Sequence, residues 1–317
     1  TRLLTVPLAI FQSFSMIKIL QSAQSGAQRI IPADLSLITM LQMTLTITAG
    51  TIFLVWLGEI ISERKIGNGI SIIIFAGIVA SIPQAMGQTI AVFDPTQLFV
   101  MAGFLIVSLV TVASVVYVTE GQRNIPVSYA KRVRGMRMYG GMDTHLPIRV
   151  NQAGMIPIIF AVSIIIFPPT VAHFFLNAKT SWISWLAQQT IDLFQNHLFY
   201  GVFYFLLVVG FTYFYTAVVF HPQQIADNLQ KQGAFVPGIR PGRTTADYLN
   251  TIVTRIVFTG ALFLGGIAAL PLLLREVPGA PQNLIISGAS LLIVVGVVLD
   301  IMQQINSQLS MRDYEEF

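Results

Sequence analysis

Long apolar runs recur along almost the whole chain, and no other feature of the sequence restricts its fold so strongly. Each approaches the roughly 20 residues a helix needs to cross about 30 Å of hydrocarbon. Eight spans are predicted: Leu3 to Leu20, Leu35 to Gly58, Ile70 to Met86, Gln97 to Val118, Val150 to Phe175, Leu198 to Phe220, Thr251 to Leu274 and Asn283 to Ile305. Lipid offers no hydrogen-bond partner to the backbone, so continuous runs must close their bonds within helices, whereas barrel strands would alternate apolar and polar residues. The predicted fold class is therefore an all-α polytopic membrane protein. Hydrophobic residues at 54% against 10% charged, over 317 residues, are incompatible with an ordinary soluble domain.

Charge placement gives the topology. With the start of the chain on the cytoplasmic side, fourteen of the eighteen basic residues fall in or beside cytoplasmic segments, and only Lys18, Arg29, Lys179 and Arg275 fall on the other side. The net charge of +4 therefore describes one face, suited to lipid headgroups, ribosomal RNA or an acidic protein patch.

Several classes of chemistry are excluded. There is no cysteine, hence no disulfide or thiolate metal site, and the four histidines, His145, His173, His197 and His221, lack metal-ligand spacing. No nucleophile elbow, phosphate-binding glycine loop or paired carboxylates occur, so no enzyme activity, metal or cofactor is expected. An ion-coupled carrier keeps ionisable groups near the bilayer midplane. Here Glu59, Glu120 and Asp300 stand near span ends.

Two polar loops are left as places for function. In Glu120 to Arg149, the alternation of Ile125, Val127 and Tyr129, and of Leu146, Ile148 and Val150, predicts two strands of a hairpin. Gly140-Gly141 lies between them, and the basic cluster Lys131, Arg132, Arg134 and Arg137 falls towards the projecting end. In His221 to Asn250, Gln223 to Lys231 suits a short helix, and the pairs Pro237-Gly238 and Pro241-Gly242 predict tight turns that present Arg240. Such loops read as a docking platform; a solvated connector that only enforces topology is the other reading. On the opposite side, Lys179 to Leu198 with Trp182 and Trp185 predicts a helix lying in the membrane interface. The third span is short, follows Gly67-Asn68-Gly69, and its apolar core ends at Pro83, which fits a segment lining a pathway. Ile70 and Ile74 share one helix face there; isoleucines facing lipid explain the same spacing.

The stretches WLGEIISERKIGNGISIIIFAGIVASIP (Trp56 to Pro83), SYAKR (Ser128 to Arg132), THLPIRVNQAGMIPIIFA (Thr144 to Ala161), HPQQIADNLQKQGAFVPGIRPG (His221 to Gly242) and SLLIVVGVVLD (Ser290 to Asp300) closely resemble, in order, the SecY family, the pore subunits of the bacterial-type preprotein translocase. The resemblance implies a translocon bundle of ten helices in two pseudo-symmetric inverted halves. The first two helices, the plug and one wall of the lateral gate would then lie outside this sequence. Residues 1–86 would be the rest of the N-terminal half, 87–149 a connecting helix and basic hairpin, and 150–317 the rest of the C-terminal half.

Carried over by position, the resemblance implies an apolar constriction of Ile70, Ile74, Ile159 and Ile293, and a lateral gate including Gln12, Ser163 and Phe167. It implies ribosome or motor docking at Lys131, Arg132, Arg134, Arg137, Lys231, Phe235 and Arg240. Met136 departs from the pattern, standing where relatives can carry arginine. At about 1.5 Å per residue, Ile159 and Ile293 also fall near mid-membrane by depth. The implied function is a protein-conducting channel that passes unfolded secretory polypeptides and releases membrane helices into lipid. Its implied partners are SecE and SecG in the membrane, and the SecA motor ATPase or the translating ribosome on the loops. The implied location is the bacterial inner membrane, or a thylakoid membrane. An ion-coupled or solute secondary transporter is the alternative and requires a polar midplane site; a membrane scaffold requires no cavity.

Overall fold

The structure is a computed structural model that describes residues 2–22, 35–64, 67–91, 98–129, 132–134, 137–139, 143–176, 180–275 and 288–315. Its helices are α1 (Arg2–Ser22), α2 (Leu37–Glu63), α3 (Gly69–Ala91), α4 (Leu98–Glu120), α5 (Ile156–Phe175), α6 (Ser181–Gln195), α7 (His197–Val219), α8 (Pro222–Lys231), α9 (Arg243–Arg275) and α10 (Gly288–Glu315). Strands β1 (Gln122–Tyr129), β2 (Arg132–Arg134), β3 (Arg137–Tyr139) and β4 (Asp143–Arg149) lie between α4 and α5, and β5 (Ala234–Phe235) lies between α8 and α9. Among the described residues, seven helical stretches are long and apolar enough to cross a membrane: α2, α3, α4, α5, α7 with α8, α9 and α10. The eighth predicted span, Leu3 to Leu20, coincides with α1, which carries Gln12, Ser13, Ser15, Lys18 and Gln21 in its second half and is not among the seven.

Several predicted boundaries move, and two of the shifts have a plain physical reason. α3 runs through Pro83 and past the predicted end at Met86 to Ala91; proline removes one backbone donor, a loss that membrane helices tolerate. α9 begins at Arg243 rather than Thr251, because Ala246, Leu249, Ile252 and Val253 recur at helical spacing and are all buried.

The chain divides into two compact units. The first comprises residues 1–92, 162–203 and 297–317. In it α1 packs on α2 and α2 on α3. The membrane helices dispose of their polar side chains locally: the hydroxyls of Ser13, Thr44 and Thr48 donate to carbonyls four residues back, at 2.6, 2.8 and 2.7 Å. The buried Thr48 hydroxyl also lies 3.2 Å from Ser13 Oγ, a polar bridge between α1 and α2. The predicted interface helix is α6: Ala187 and Ile191 pack on Ala172 of α5, while Trp182 and Trp185 are exposed.

The second unit comprises residues 93–161 and 204–296. The predicted hairpin is β1 with β4, antiparallel from Gln122↔Arg149 to Ser128↔Asp143. β5 pairs with the far side of β1 through Ser128↔Phe235 and Tyr129↔Ala234, giving the order β4-β1-β5. A core of Ile125, Ile148, Val236, Leu249, Ile252, Val253 and Val257 joins this sheet to the start of α9.

Candidate functional site

Chain chemistry builds the first part of the site, a basic platform, entirely within the second unit. Sequence reading placed two separate protrusions here; the β1–β5 pairing makes them one sheet. Beyond it, β2 and β3 form a small ladder with Arg134 opposite Arg137 and Arg132 opposite Tyr139. The basic cluster is thus carried on strands, with Lys131 and Gly140-Gly141 outside the described residues. Lys231 ends α8 and is exposed, and Phe235 is half-buried on β5.

Arg240 is exposed in the tight loop that the Pro-Gly pairs predict. Gly233, Gly238 and Gly242 have φ of 70°, 81° and 98°, values an L side chain resists. The Ile239 amide donates to the Val236 carbonyl at 3.0 Å, and the Thr245 hydroxyl donates to the Arg240 carbonyl at 2.9 Å. The arginine backbone is therefore fixed to the start of α9 while its guanidinium projects. A planar, permanently charged fork held this way suits phosphate or carboxylate.

The second part is apolar and lies on α3, α5 and α10, three of the helices long and apolar enough to cross a membrane. In the second unit, Gly296 of α10 faces Met155 so closely that a Cβ there would stand 3.1 Å from the Met155 Cε. Ile159 is one turn beyond Met155 on α5, and Ile293 is three residues before Gly296 on α10, so each shares a face with its contact residue. α5 and α10 are three spans apart, so alternating spans run them in opposite senses, which puts both isoleucines on the same side of that contact, about 4 to 6 Å along their helices. Ile293 is buried at 8% exposure and Ile159 half-buried. Ile70 and Ile74 belong to the first unit, one turn apart at the start of α3; Ile70 is 51% exposed and Ile74 half-buried.

The three residues assigned to the lateral gate also lie in the first unit. Gln12 and Ser163 are exposed on α1 and α5, and Phe167 is 56% exposed. Next to Gln12, Phe11 lies 6.4 Å from Phe167 and 5.8 Å from Phe174, and Phe14 stacks on Phe174 at 5.5 Å with 3° between planes. Sequence reading missed this aromatic contact of α1 with α5, although the spacings Phe11/Phe14 and Phe167/Phe174 put each pair on one face. Phe167 also borders a groove of about 360 Å³ with Val171, Phe175, Ile183 and Leu186.

Comparison with known proteins follows the same line. The pattern of the SecY family matches residues 1–302. The chain is similar to the protein translocase subunit SecY of Streptomyces galbus, 44% identical over 323 residues, and to that of Mycobacterium tuberculosis, 42% identical over 325. Both alignments cover all of this chain and 73% of the relative. Among solved structures it is similar to one described as the structure of a protein conducting channel, with a TM-score of 0.61, 16% identity and coverage of 95% of this chain and 71% of that one. A structure concerned with the plug domain of the SecY protein gives a TM-score of 0.62 at the same identity and coverage. At that identity the likeness is one of fold.

Proposed function

This chain belongs to the SecY family, and on that premise we propose how its residues serve the protein-conducting channel of which it is a subunit. It is a multi-pass membrane protein, and its family is one of channel subunits rather than catalysts. Ile70, Ile74, Ile159 and Ile293 form an apolar waist. Such a collar holds no stable column of water or ions when closed, yet deforms around an extended polypeptide without reading its sequence. The observation that carries this reading is the common level of Ile159 and Ile293 beside the Met155–Gly296 contact.

The aromatic contact of α1 with α5, with Gln12, Ser163 and Phe167, is the seam through which an apolar segment leaves for lipid. That transfer is favoured by about 0.8 kcal/mol per buried CH₂. Residues 1–86 and 150–317 act as the parts of two inverted halves, with 87–149 connecting them. Moving a polypeptide needs energy from outside. Arg240, Phe235 and Lys231, with Lys131, Arg132, Arg134 and Arg137, dock the SecA motor or the translating ribosome on the cytoplasmic side of a bacterial inner membrane. SecE and SecG are the membrane companions.

Removing the branched side chains of the waist tests the reading. Ile159→Gly with Ile293→Gly raises the resting ion conductance of reconstituted complexes several-fold, whereas Leu109→Gly on the exposed face of α4 does not. Equal conductance in all of them would overturn the waist.

A further inference from the structure

α2 and α3 meet at a knot of three residues outside both the waist and the platform. Ser62 Oγ donates to the Gly58 carbonyl at 2.9 Å and accepts the Gly69 amide at 2.8 Å. Gly58 and Ser62 are one turn apart on α2, and Gly69 is the first residue of α3. Both glycines are buried. A Cβ on Gly69 would overlap the Gly58 carbonyl and come within 2.9 Å of Ser62 Oγ. A Cβ on Gly58 would stand 3.2 Å from Ile70 Cγ1 and 3.3 Å from the Ile70 nitrogen. The helices touch here through backbone, which only residues without side chains allow.

Hydrogen bonding at the start of α3 is complete. The Ile70 and Ser71 amides donate to Asn68 Oδ1 at 3.1 and 3.4 Å, and the helical ladder opens with the Ile72 amide on the Asn68 carbonyl at 3.1 Å. The Gly69 amide goes to Ser62 instead, across to another helix. Gly69 is buried, and a buried amide at a helix start is costly to leave unpaired. This one bond therefore ties the first residue of α3 to a fixed point on α2.

We propose that Ser62, seated between Gly58 and Gly69, is a positioning residue that sets the rotation and depth of α3 and so aims Ile70 and Ile74 at the translocating polypeptide. The inference rests on the assignment of those isoleucines to the waist. A slip of α3 by one residue turns it about 100° and moves it about 1.5 Å, enough to carry both off their face. Ile73 marks the opposite outcome to Ile74: a Cβ on Gly58 would lie 3.4 Å from its Cδ1, so it faces α2, as one edge of Ile70 also does while Ile70 stays 51% exposed.

The test uses the complete translocase with single cysteines at position 70, 73 or 74, crosslinked to a cysteine in an arrested secretory polypeptide. With Ser62 present, positions 70 and 74 crosslink and 73 does not. S62A lowers the ratio of crosslinking at 74 to that at 73 by about threefold to tenfold, the effect of losing one hydrogen bond. S62T, which keeps the hydroxyl, restores the ratio. If S62A fails to accumulate, Gly58→Ala presses on Ile70 from the same side and lowers the same ratio. An unchanged ratio in S62A, with the preference for 70 and 74 intact, overturns the positioning role alone. No preference for 70 and 74 in the parent overturns the waist assignment, and this inference with it.

Discussion

The basic platform buries branched apolar residues, whereas α2 in the membrane unit buries small and hydroxyl-bearing ones. The platform encloses Ile125, Ile148, Val236, Leu249, Ile252 and Val253 and leaves Arg149, Lys231 and Arg240 exposed. α2 buries Thr44, Thr48 and Gly58 and turns Leu37, Ile38 and Leu41 outward; α7 buries Thr212 and Thr216 alongside Tyr204 and Val208 and exposes Leu206 and Phe214. Water drives the first arrangement, because apolar surface gains by leaving it. In lipid that drive is absent between helices, so close approach of small residues and shared hydroxyls decides which face turns inward. One chain thus follows two packing rules, and the change comes within α9, whose first turns belong to the platform core.

The same change of side chain should therefore have unequal effects in the two regions. Leu249→Ala, at a position with 0% exposure, should cost about 2 to 5 kcal/mol, read as a lowered Tm of the purified protein. A cost below about 1 kcal/mol would mean that the platform core does not hold α9. Arg240→Glu should slow motor-driven translocation about tenfold and leave Tm unchanged, since it inverts an exposed charge and touches no core. Normal translocation in that variant would remove the docking role. Thr48→Val, which deletes the bridge from α2 to Ser13 of α1, should cost about 0.6 kcal/mol, measured by unfolding in detergent. Leu37→Ala, at 85% exposure, should shift stability by less than about 0.5 kcal/mol. If Leu37→Ala matched Leu249→Ala, the contrast between the regions would fail.

What the sequence disclosed follows these rules. Spans of continuous apolar residues declare helices wherever they stand, and alternation declared β1 and β4. The join between the two loops was hidden because β5 is only two residues, Ala234–Phe235, too short for any period. The early start of α9 was hidden by polar residues among the buried ones, Thr244 and Asp247 beside Ala246 and Leu249. Gly58, Ser62 and Gly69 carry no chemistry that spacing alone reveals; their role appears only once α3 is folded back on α2. For Arg240 the Pro-Gly pairs sufficed, since their backbone preferences act locally.

The most direct test of the account places single cysteines at Ile159 and Ile293 in the complete protein, which has none of its own in this sequence. An arrested secretory polypeptide carrying one cysteine is then oxidised against each. Disulfides at both positions, and none at the exposed control Leu109, are the predicted result. No disulfide at either position, with the arrested polypeptide verified as engaged, would contradict passage through this waist.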